Sequence, residues 1–281
     1  MSSKPQTQPE TVALDGPGPD RCMEVLDDLV QTWREDRPEA KFLAELPTAY
    51  APTLFALVSQ TVALADGLSE LWKRSVDHPS RQVAAIALVR QVIEFSTRAV
   101  WLELYPERVE SVAKEGARQH LNMLRGAAKV GLVDVDSAAL VSAQEDFDSL
   151  KGKADEQSFK RICDEISLDG WPPDRLYVYF RIASNLMHPS SMQTDLHVIE
   201  EGSPSGLGFV TVPESQMAPV LLGIATQFTI LGCLAWDRAD HVQHQHDQLL
   251  KLAEEFVVPN SKPTRLVSVP PDPQSRRRKR G

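Results

Sequence analysis

The sequence predicts an all-α bundle of about six to eight helices folded as a single domain. Helix-forming residues dominate its 281 positions, and alternating runs of β-branched residues are scarce. Several long segments repeat apolar residues every three or four positions, the spacing of one helix face. We expect the bundle to cover residues 21–258, between disordered tails at residues 1–20 and 259–281.

Apolar periodicity predicts the first helices of the bundle. A helix follows the N-terminal tail, and its apolar residues at helical spacing are Leu26, Leu29, Val30 and Trp33. A longer helix is predicted over residues 50–77, because Leu57, Leu64 and Leu71 recur every seven residues, with Leu54 and Leu68 three positions before the first and the last of them. A repeat of this length is typical of the seam at which bundle helices pack, so these leucines are candidate core residues.

The third helix is predicted to span residues 78–104. Apolar residues lie on most of its sides, so we expect it at the centre of the bundle. Arg90, Glu94 and Arg98 follow each other at intervals of four and therefore share one face. Two interpretations stay open, namely a local salt-bridge ladder, or a polar face that meets and supports a functional site.

Polar helices and a small hairpin are predicted in the next part of the chain. We expect helices over residues 106–132, 136–150 and 155–166. The first carries a basic stripe, whose members are Lys114, Arg118, Arg125 and Lys129. Glu110 precedes Lys114 by four residues, so we expect part of the stripe to be a solvated, salt-bridged face, with RNA contact as the alternative. Between residues 196 and 212, two short apolar runs flank a loop rich in Gly, Ser and Pro, which favours a β-hairpin.

One or two further helices are predicted over residues 213–257. Residues 218–236 are apolar enough to suggest a membrane span, and we find no second segment of this kind in the sequence. Thr226, Gln227 and Thr229 interrupt the run. We therefore expect a buried bundle helix and no membrane span.

Residues 174–190, DRLYVYFRIASNLMHPS, form the segment whose pattern indicates chemistry. Two prolines precede it and Pro189 closes it, which predicts a single helix. Its polar face carries five residues, Tyr177, Arg181, Ser184, Asn185 and His188. Arg181 and His188 are seven residues apart, nearly two turns, so their side chains lie in one row.

This row suits the cleavage of a phosphodiester. A guanidinium donates paired hydrogen bonds to phosphate, and an imidazole transfers protons near neutral pH. The candidate catalytic residues are His188 and Arg181, and the supporting candidates are Ser184, Asn185, Tyr177, Glu94 and Arg90. The structural alternative is an ordinary amphipathic helix, whose last-turn histidine complements the helix dipole.

The string RIASNLMH resembles the Arg-x(4–6)-His motif of the HEPN superfamily, helical domains that include many metal-independent ribonucleases of toxin and antiphage systems. Ile182 stands where those ribonuclease motifs usually carry a polar residue. With LVRQVIEFSTRAVWLE at residues 88–103, the wider string YFRIASNLMHPS also resembles an uncharacterised bacterial domain-of-unknown-function family. That family pairs an Arg-x3-Glu helix with a later Ser-x3-His-Pro helix, and this closer resemblance covers residues 50–255.

The HEPN resemblance implies an RNA endonuclease that needs no metal or cofactor, in which the RNA 2′-hydroxyl attacks the adjacent phosphate. His188 is then the general base or acid, and Arg181 stabilises charge on the phosphate oxygens. It also implies a homodimer, because such sites commonly form where two copies of the motif meet. The second resemblance leaves open a non-catalytic binding or regulatory module, in which Arg181, Glu94 and His188 form a structural polar network.

A metal-dependent protein is the third hypothesis. Asp237, His241 and His244 recur at helical spacing with His246 nearby, and two histidines with a carboxylate are zinc ligands. The sequence offers no obvious fourth ligand. We therefore expect an exposed histidine cluster on the outer half of a long helix and no metal site.

The composition predicts a cytoplasmic globular protein with an acidic body. The N-terminal segment MSSKPQTQPE lacks the apolar run of a signal peptide, and the three cysteines show neither zinc nor disulfide spacing. The net charge is −9, and removing the +4 carried by residues 271–281 leaves −13 on the remainder. An acidic body argues against a broad nucleic-acid surface but is compatible with a small phosphate site.

Overall fold

The structure of the protein is a computed structural model that describes most of the chain. The described residues are 17–35, 46–75, 80–134, 136–150, 158–187, 198–200, 207–209, 217–240, 243 and 245–266. Within them the protein is an all-α bundle, which confirms the predicted fold class, with nine α-helices and two small antiparallel sheets. The outer parts of the predicted tails, residues 1–16 and 267–281, lie outside the described residues.

The helices follow the predicted segments, with shifts at their ends. In chain order they are α1 (Pro19–Glu35), α2 (Tyr50–Lys73), α3 (Ser80–Leu104), α4 (Val109–Lys129), α5 (Ala138–Ser149), α6 (Phe159–Asp164), α7 (Arg175–Met187), α8 (Ala218–Ala239) and α9 (His246–Glu255). Between α3 and α4 Tyr105 leaves the helical conformation, with φ −129° and ψ 57°, because the ring of Pro106 disfavours helical geometry in the preceding residue. A short 3₁₀ turn, Pro106–Arg108, then leads into α4.

Helices α3 and α8 form the centre of the bundle. Helix α8 is buried over most of its length and packs against α1, α2, α3 and α9. Helix α3 packs against α2 and α7 as well as α8, so the expected central position of α3 is confirmed.

The buried stripe of α2 includes part of the predicted leucine seam. Leu54 and Leu68 are fully buried, as predicted, and Val58, Thr61 and Ala65 are buried between them. These five residues alternate in steps of four and three, so a repeat of seven does mark the buried side of α2. The other predicted seam residues, Leu57, Leu64 and Leu71, are only partly buried at the edge of the core.

Two helices are long and apolar enough to cross a membrane, so the expectation of one such segment is wrong. They are α2 and α8, Tyr50–Lys73 and Ala218–Ala239. In the most apolar stretch of α8, 83% of the residues are buried inside the protein, against 39% for α2. A core helix of a bundle has the same length and composition, and α8 has the burial of one.

Two short antiparallel sheets complete the described fold. Strand β2 (Val198–Glu200) pairs with β3 (Leu207–Phe209), which is the predicted hairpin, and β1 (Ile166–Ser167) pairs with β4 (Thr264–Arg265). The β1–β4 pair corrects the predicted start of the C-terminal tail. Arg265 donates to the carbonyl oxygen of Leu104 at 2.6 Å, so the chain is attached to the bundle beyond residue 258.

A buried ion pair ties α3 to α8. The guanidinium of Arg238 donates to both carboxylate oxygens of Glu103, at 2.8 and 2.9 Å. Their side chains are only 8% and 4% exposed. Desolvation offsets much of the Coulomb attraction of such a pair, so its main effect is to fix how the two helices meet.

Helix α8 approaches α2 and α3 closely at Gly232. A Cβ placed on this glycine would lie 3.1 Å from Ser96 Oγ of α3 and 3.5 Å from Thr61 Cγ2 of α2. The missing side chain therefore lets three helices converge at the centre of the core.

We predict that Glu103→Gln lowers the free energy of unfolding by about 3–5 kcal/mol, because it leaves the Arg238 cation buried without a counter-charge. Urea unfolding followed by circular dichroism measures the change. The double variant Glu103→Leu/Arg238→Met removes both charges and is expected to recover most of the loss. A double variant as unstable as the single one would contradict this account.

We also predict that Gly232→Leu destabilises the fold by about 1–3 kcal/mol or more, because the new side chain overpacks the α2–α3–α8 contact. The matched control is Gly126→Leu in α4, where a Cβ would meet no atom within 4 Å. The control is expected to keep or raise the urea midpoint, since leucine favours helix over glycine. Equal midpoints for the two variants would show that Gly232 is not a packing constraint.

Candidate functional site

Helix α7 carries the residues that the sequence singles out. It begins at Arg175 and ends at Met187, so the predicted helix is confirmed except at its ends. Its apolar face packs into the core as expected; Leu176, Ala183 and Leu186 are buried, and Tyr179, Phe180 and Ile182 are partly buried. His188 directly follows the helix but lies outside the described residues, so its place in the polar row stays a prediction.

The polar face of α7 is open to solvent at two of the predicted positions. Arg181 and Asn185, one helical turn apart, are both exposed. No described residue forms a hydrogen bond or ion pair with the Arg181 guanidinium. Ser184 differs, because its Oγ is shielded from solvent and has no hydrogen-bond partner within the described segments. Arg181 and Asn185 are therefore the accessible part of the predicted row.

Tyr177 lies one turn before Arg181 and is half-buried. The Nζ of Lys160, on α6, lies 5.4 Å from the centre of its ring. Lys160 is paired with the Asp164 carboxylate at 2.6 Å, so its charge is already balanced. The cation beside Tyr177 is therefore already ion-paired. On the polar face of α7, the Arg181 guanidinium is the positive charge that has no ion-pair partner among the described residues.

The charged residues of α3 form the salt-bridge ladder that was one of the two interpretations of their spacing. Arg98 donates to Glu94 Oε1 through Nε and Nη2, at 3.2 and 2.9 Å. Arg90 Nη2 is 4.0 Å from the other oxygen of the same carboxylate. Glu94 is therefore engaged mainly by Arg98.

The face of α3 that carries this ladder meets α7 through Phe180 and not through Arg181. The guanidinium carbon of Arg90 lies 5.0 Å from the centre of the Phe180 ring, and Phe180 packs against Phe159 of α6 at 4.2 Å. No contact in the described part of the chain joins Glu94 to Arg181. Because successive residues of a helix point about 100° apart, Phe180 and Arg181 belong to different environments.

A groove runs between α3 and α4, with α2, α6 and α7 at its ends. Its volume is about 650 Å³, and we call it the α3–α4 groove. Four aromatic side chains line it, Phe95, Trp101, Phe159 and Phe180, and the ladder Arg90–Glu94–Arg98 lies along one wall. Sequence reasoning missed this groove, because it depends on how α4 and α6 pack beside α3.

The opposite wall of the groove carries Glu115 of α4. Its carboxylate accepts hydrogen bonds from Arg118 at 2.6 and 2.8 Å and from Gln119 at 2.9 Å. The hydrogen bonds from Arg118 hold the pKa of Glu115 below its usual value, and those from Gln119 add to the effect, although desolvation opposes it. This carboxylate is therefore ionised and occupied within the protein.

Two other members of the basic stripe on α4, Lys114 and Arg125, are also engaged, but not as the sequence predicts. Lys114 donates to the carbonyl oxygen of Leu150 at 2.8 Å, and Arg125 donates to Gln144 at 2.7 Å. The predicted pair with Glu110 is not among the contacts of the described residues. Helix α5 packs against α4 and supplies these acceptors, which the sequence of α4 alone does not reveal.

The predicted histidine cluster does not lie on one continuous helix. Helix α8 ends at Ala239, and Asp240 is extended with ψ 123°, so the helical spacing from Asp237 to His244 is wrong. His241 and His244 lie outside the described residues. Among the residues that are described, no group of three His, Cys, Asp or Glu side chains forms a candidate metal site.

Asp237 instead holds the start of α9. Its Oδ2 lies 2.8 Å from His246 Nδ1, and its Oδ1 accepts the backbone N–H of Gln245 at 3.2 Å. Asp237 is buried at the end of α8, so this contact has the geometry of a structural link between consecutive helices.

The three cysteines are buried and free. Burial raises their pKa values, to about 12 for Cys163 and for Cys233. A thiol with so high a pKa is almost entirely protonated near neutral pH, so these side chains do not have the character of nucleophiles.

No family model, curated protein or solved structure shows a significant match to the chain. These comparisons therefore test neither of the two resemblances carried by residues 174–190, and both stay predictions.

We predict that Arg118→Gln weakens the acid dependence of stability. The lowered pKa of Glu115 means that its ionised form stabilises the fold above about pH 4.3, and that this contribution is lost as the pH falls through the lowered value. Without Arg118 the unfolding free energy should fall less steeply between pH 5 and pH 3, as measured by urea unfolding across that range.

Arg125→Gln is the matched control for this prediction. It removes the same charge from the same helix, but Arg125 donates to the neutral side chain of Gln144. We expect it to keep the wild-type slope. An unchanged slope in Arg118→Gln would contradict the assigned role of Glu115.

Proposed function

We propose that the protein is a HEPN-like, metal-independent RNA endonuclease whose site lies on the polar face of α7. The observation that carries the proposal is the exposed Arg181 guanidinium, which has no hydrogen-bond or ion-pair partner in the described part of the chain. An arginine with a structural role is normally paired, whereas one that binds phosphate must be available. Asn185, exposed one turn later, adds a second polar group beside it.

The proposed reaction is an internal transesterification of RNA. The 2′-oxygen forms a bond to the adjacent phosphorus, and the bond from phosphorus to the 5′-oxygen of the next nucleotide breaks. His188 either takes the proton of the 2′-hydroxyl, while water protonates the departing 5′-oxygen, or protonates the departing 5′-oxygen, while water takes the proton of the 2′-hydroxyl. Arg181 stabilises the negative charge that builds on the non-bridging oxygens. The products are a 2′,3′-cyclic phosphate and a 5′-hydroxyl.

The charge of the protein supports a small site and not an extended RNA surface. The body carries −13 outside residues 271–281, and Lys160 beside the α7 face is neutralised by Asp164. A site that contacts few phosphates releases few counterions, so binding should depend only weakly on salt. We propose a homodimer with a composite site, as the HEPN resemblance implies. The spacing of the cysteines favours the cytoplasm, and the resemblance to an uncharacterised bacterial family favours a bacterium.

The non-catalytic alternative requires Arg181, Glu94 and His188 to form one structural network. The contacts of the described residues favour catalysis over this version, because Glu94 is bonded to Arg98 and the Arg181 guanidinium has no partner among them. The two hypotheses differ in what happens when Arg181 is removed. Loss of a structural cation lowers stability, whereas loss of a phosphate contact lowers only the rate.

We predict that the purified protein cleaves RNA in the presence of EDTA. Arg181→Ala should reduce the rate by about 10²–10³-fold and His188→Ala by about 10²–10⁴-fold. Arg181→Ala should keep the wild-type urea midpoint, because the Arg181 guanidinium makes no bond to a described residue, and a purely catalytic role of His188 predicts the same for His188→Ala. Gel electrophoresis follows cleavage, and the 2′,3′-cyclic ends are identified by their resistance to alkaline phosphatase until acid opens the ring.

The matched control is Arg34→Ala, which removes an exposed arginine from α1, 61% of whose side chain is accessible. It should cleave at the wild-type rate. Absence of cleavage by the wild type, together with a lowered midpoint in Arg181→Ala, would instead favour the structural network. Cleavage that persists in both site variants would assign the activity to a contaminant.

A further inference from the structure

The α3–α4 groove has an aromatic lining. Phe95 and Trp101 contribute from α3, Phe159 from α6 and Phe180 from α7. Its volume of about 650 Å³ lies within the range of roughly 300–1,000 Å³ that holds small organic molecules in proteins. A groove of this size with aromatic faces suits a ligand that carries a flat apolar ring.

One cation in this groove is incompletely paired. Arg90 shares the Glu94 carboxylate with Arg98, and its own approach to that carboxylate is 4.0 Å, against 2.9 Å for Arg98. Its Nε is shielded from solvent and has no hydrogen-bond partner within the described chain. The guanidinium rests on the face of Phe180, 5.0 Å from the ring centre. A further anion would supply the acceptor that Arg90 lacks.

The other carboxylate of the groove does not compensate Arg90. Glu115, on the α4 wall, is occupied by both nitrogens of the Arg118 fork and by Gln119. Among the described residues, the two carboxylates that line the groove are each engaged by an arginine, Glu94 by Arg98 and Glu115 by the adjacent Arg118, which leaves Arg90 as the incompletely paired positive charge. This balance is complementary to a ligand with a single negative charge.

The α4 wall also leaves room above its backbone. Gly116 lines the groove, and a Cβ placed on it would meet no atom within 4 Å. A glycine in the middle of a helix costs stability relative to alanine, so its presence here is not explained by packing. It does keep the groove open between α3 and α4.

We propose that the α3–α4 groove binds a small aromatic monoanion, whose acidic group bonds to Arg90 and whose ring packs against the aromatic lining. The site is distinct from the nuclease face of α7, because Phe180 is the α7 residue that lines the groove, and neither Arg181 nor Asn185 does so. The proposal does not depend on RNA cleavage and has its own readout.

The test uses dansylglycine, an aromatic monocarboxylate whose fluorescence rises in apolar surroundings, and its uncharged amide. Titration of the full chain with dansylglycine should give saturable fluorescence with one site per chain. The amide should bind at least about tenfold more weakly, since it loses the charge-assisted bond to Arg90. Equal affinity for acid and amide, or no saturable binding of dansylglycine up to 1 mM, would overturn the proposal.

Two variants locate the site. Gly116→Leu places a side chain in the groove and should weaken dansylglycine binding at least about tenfold, while Gly126→Leu, the same change elsewhere on α4, should bind as wild type. Arg90→Gln should reduce the preference for acid over amide to less than about threefold. Unchanged binding in Gly116→Leu would overturn the assignment to this groove, even if Arg90→Gln failed to fold.

Discussion

The contact between α3 and α8 is the constraint on which the rest of the structure depends. Helix α8 is buried along most of its length, so the polar groups it carries must be satisfied within the protein. Thr226 and Thr229 donate to carbonyl oxygens one turn earlier in α8, and Gln227 donates to the carbonyl oxygen of Phe256. These bonds satisfy the side-chain donors of three polar residues in an otherwise apolar helix, while Gln227 Oε1 and Arg238 Nη1 are the atoms of α8 left buried without a hydrogen-bond partner among the described residues.

The central position of α3 explains why the protein has two separate candidate sites. One side of α3 packs against α2 and α8. The other side carries the Arg90–Glu94–Arg98 ladder, which lines the groove together with residues of α4, α6 and α7. Helix α7 presents Phe180 to that groove and Arg181 to solvent. Phe180 and Arg181 thus belong to different surfaces. We therefore expect a substitution at one of the two candidate sites to leave the other site intact.

The sequence predicts the fold class and most helices because apolar periodicity is a local property. It also identifies α7, its apolar face and the Arg90–Glu94–Arg98 ladder, all of which depend on spacing within one helix. It places Leu57, Leu64 and Leu71 of α2 in the seam although they are only partly buried, and it extends α8 through His244. The angle between helices and the break at Asp240 depend on tertiary packing, which the local pattern does not contain. The groove and the acceptors of Lys114 and Arg125 come from several helices at once, so no single segment encodes them.

The pairing of β1 with β4 has a consequence for the synthesis of the chain. Strand β1 can pair only after Thr264–Arg265 has been synthesised. Helix α3 likewise cannot pack against α8 until α8 has been synthesised, and α8 begins roughly 110 residues after α3 ends. Synthesis proceeds at about 5–20 residues per second, so the apolar side of α3 that α8 covers stays exposed for on the order of ten seconds during translation. We therefore expect chaperones that bind exposed apolar helices to bind the nascent protein. We also expect a fragment truncated before α8 to aggregate and not to fold as a smaller domain.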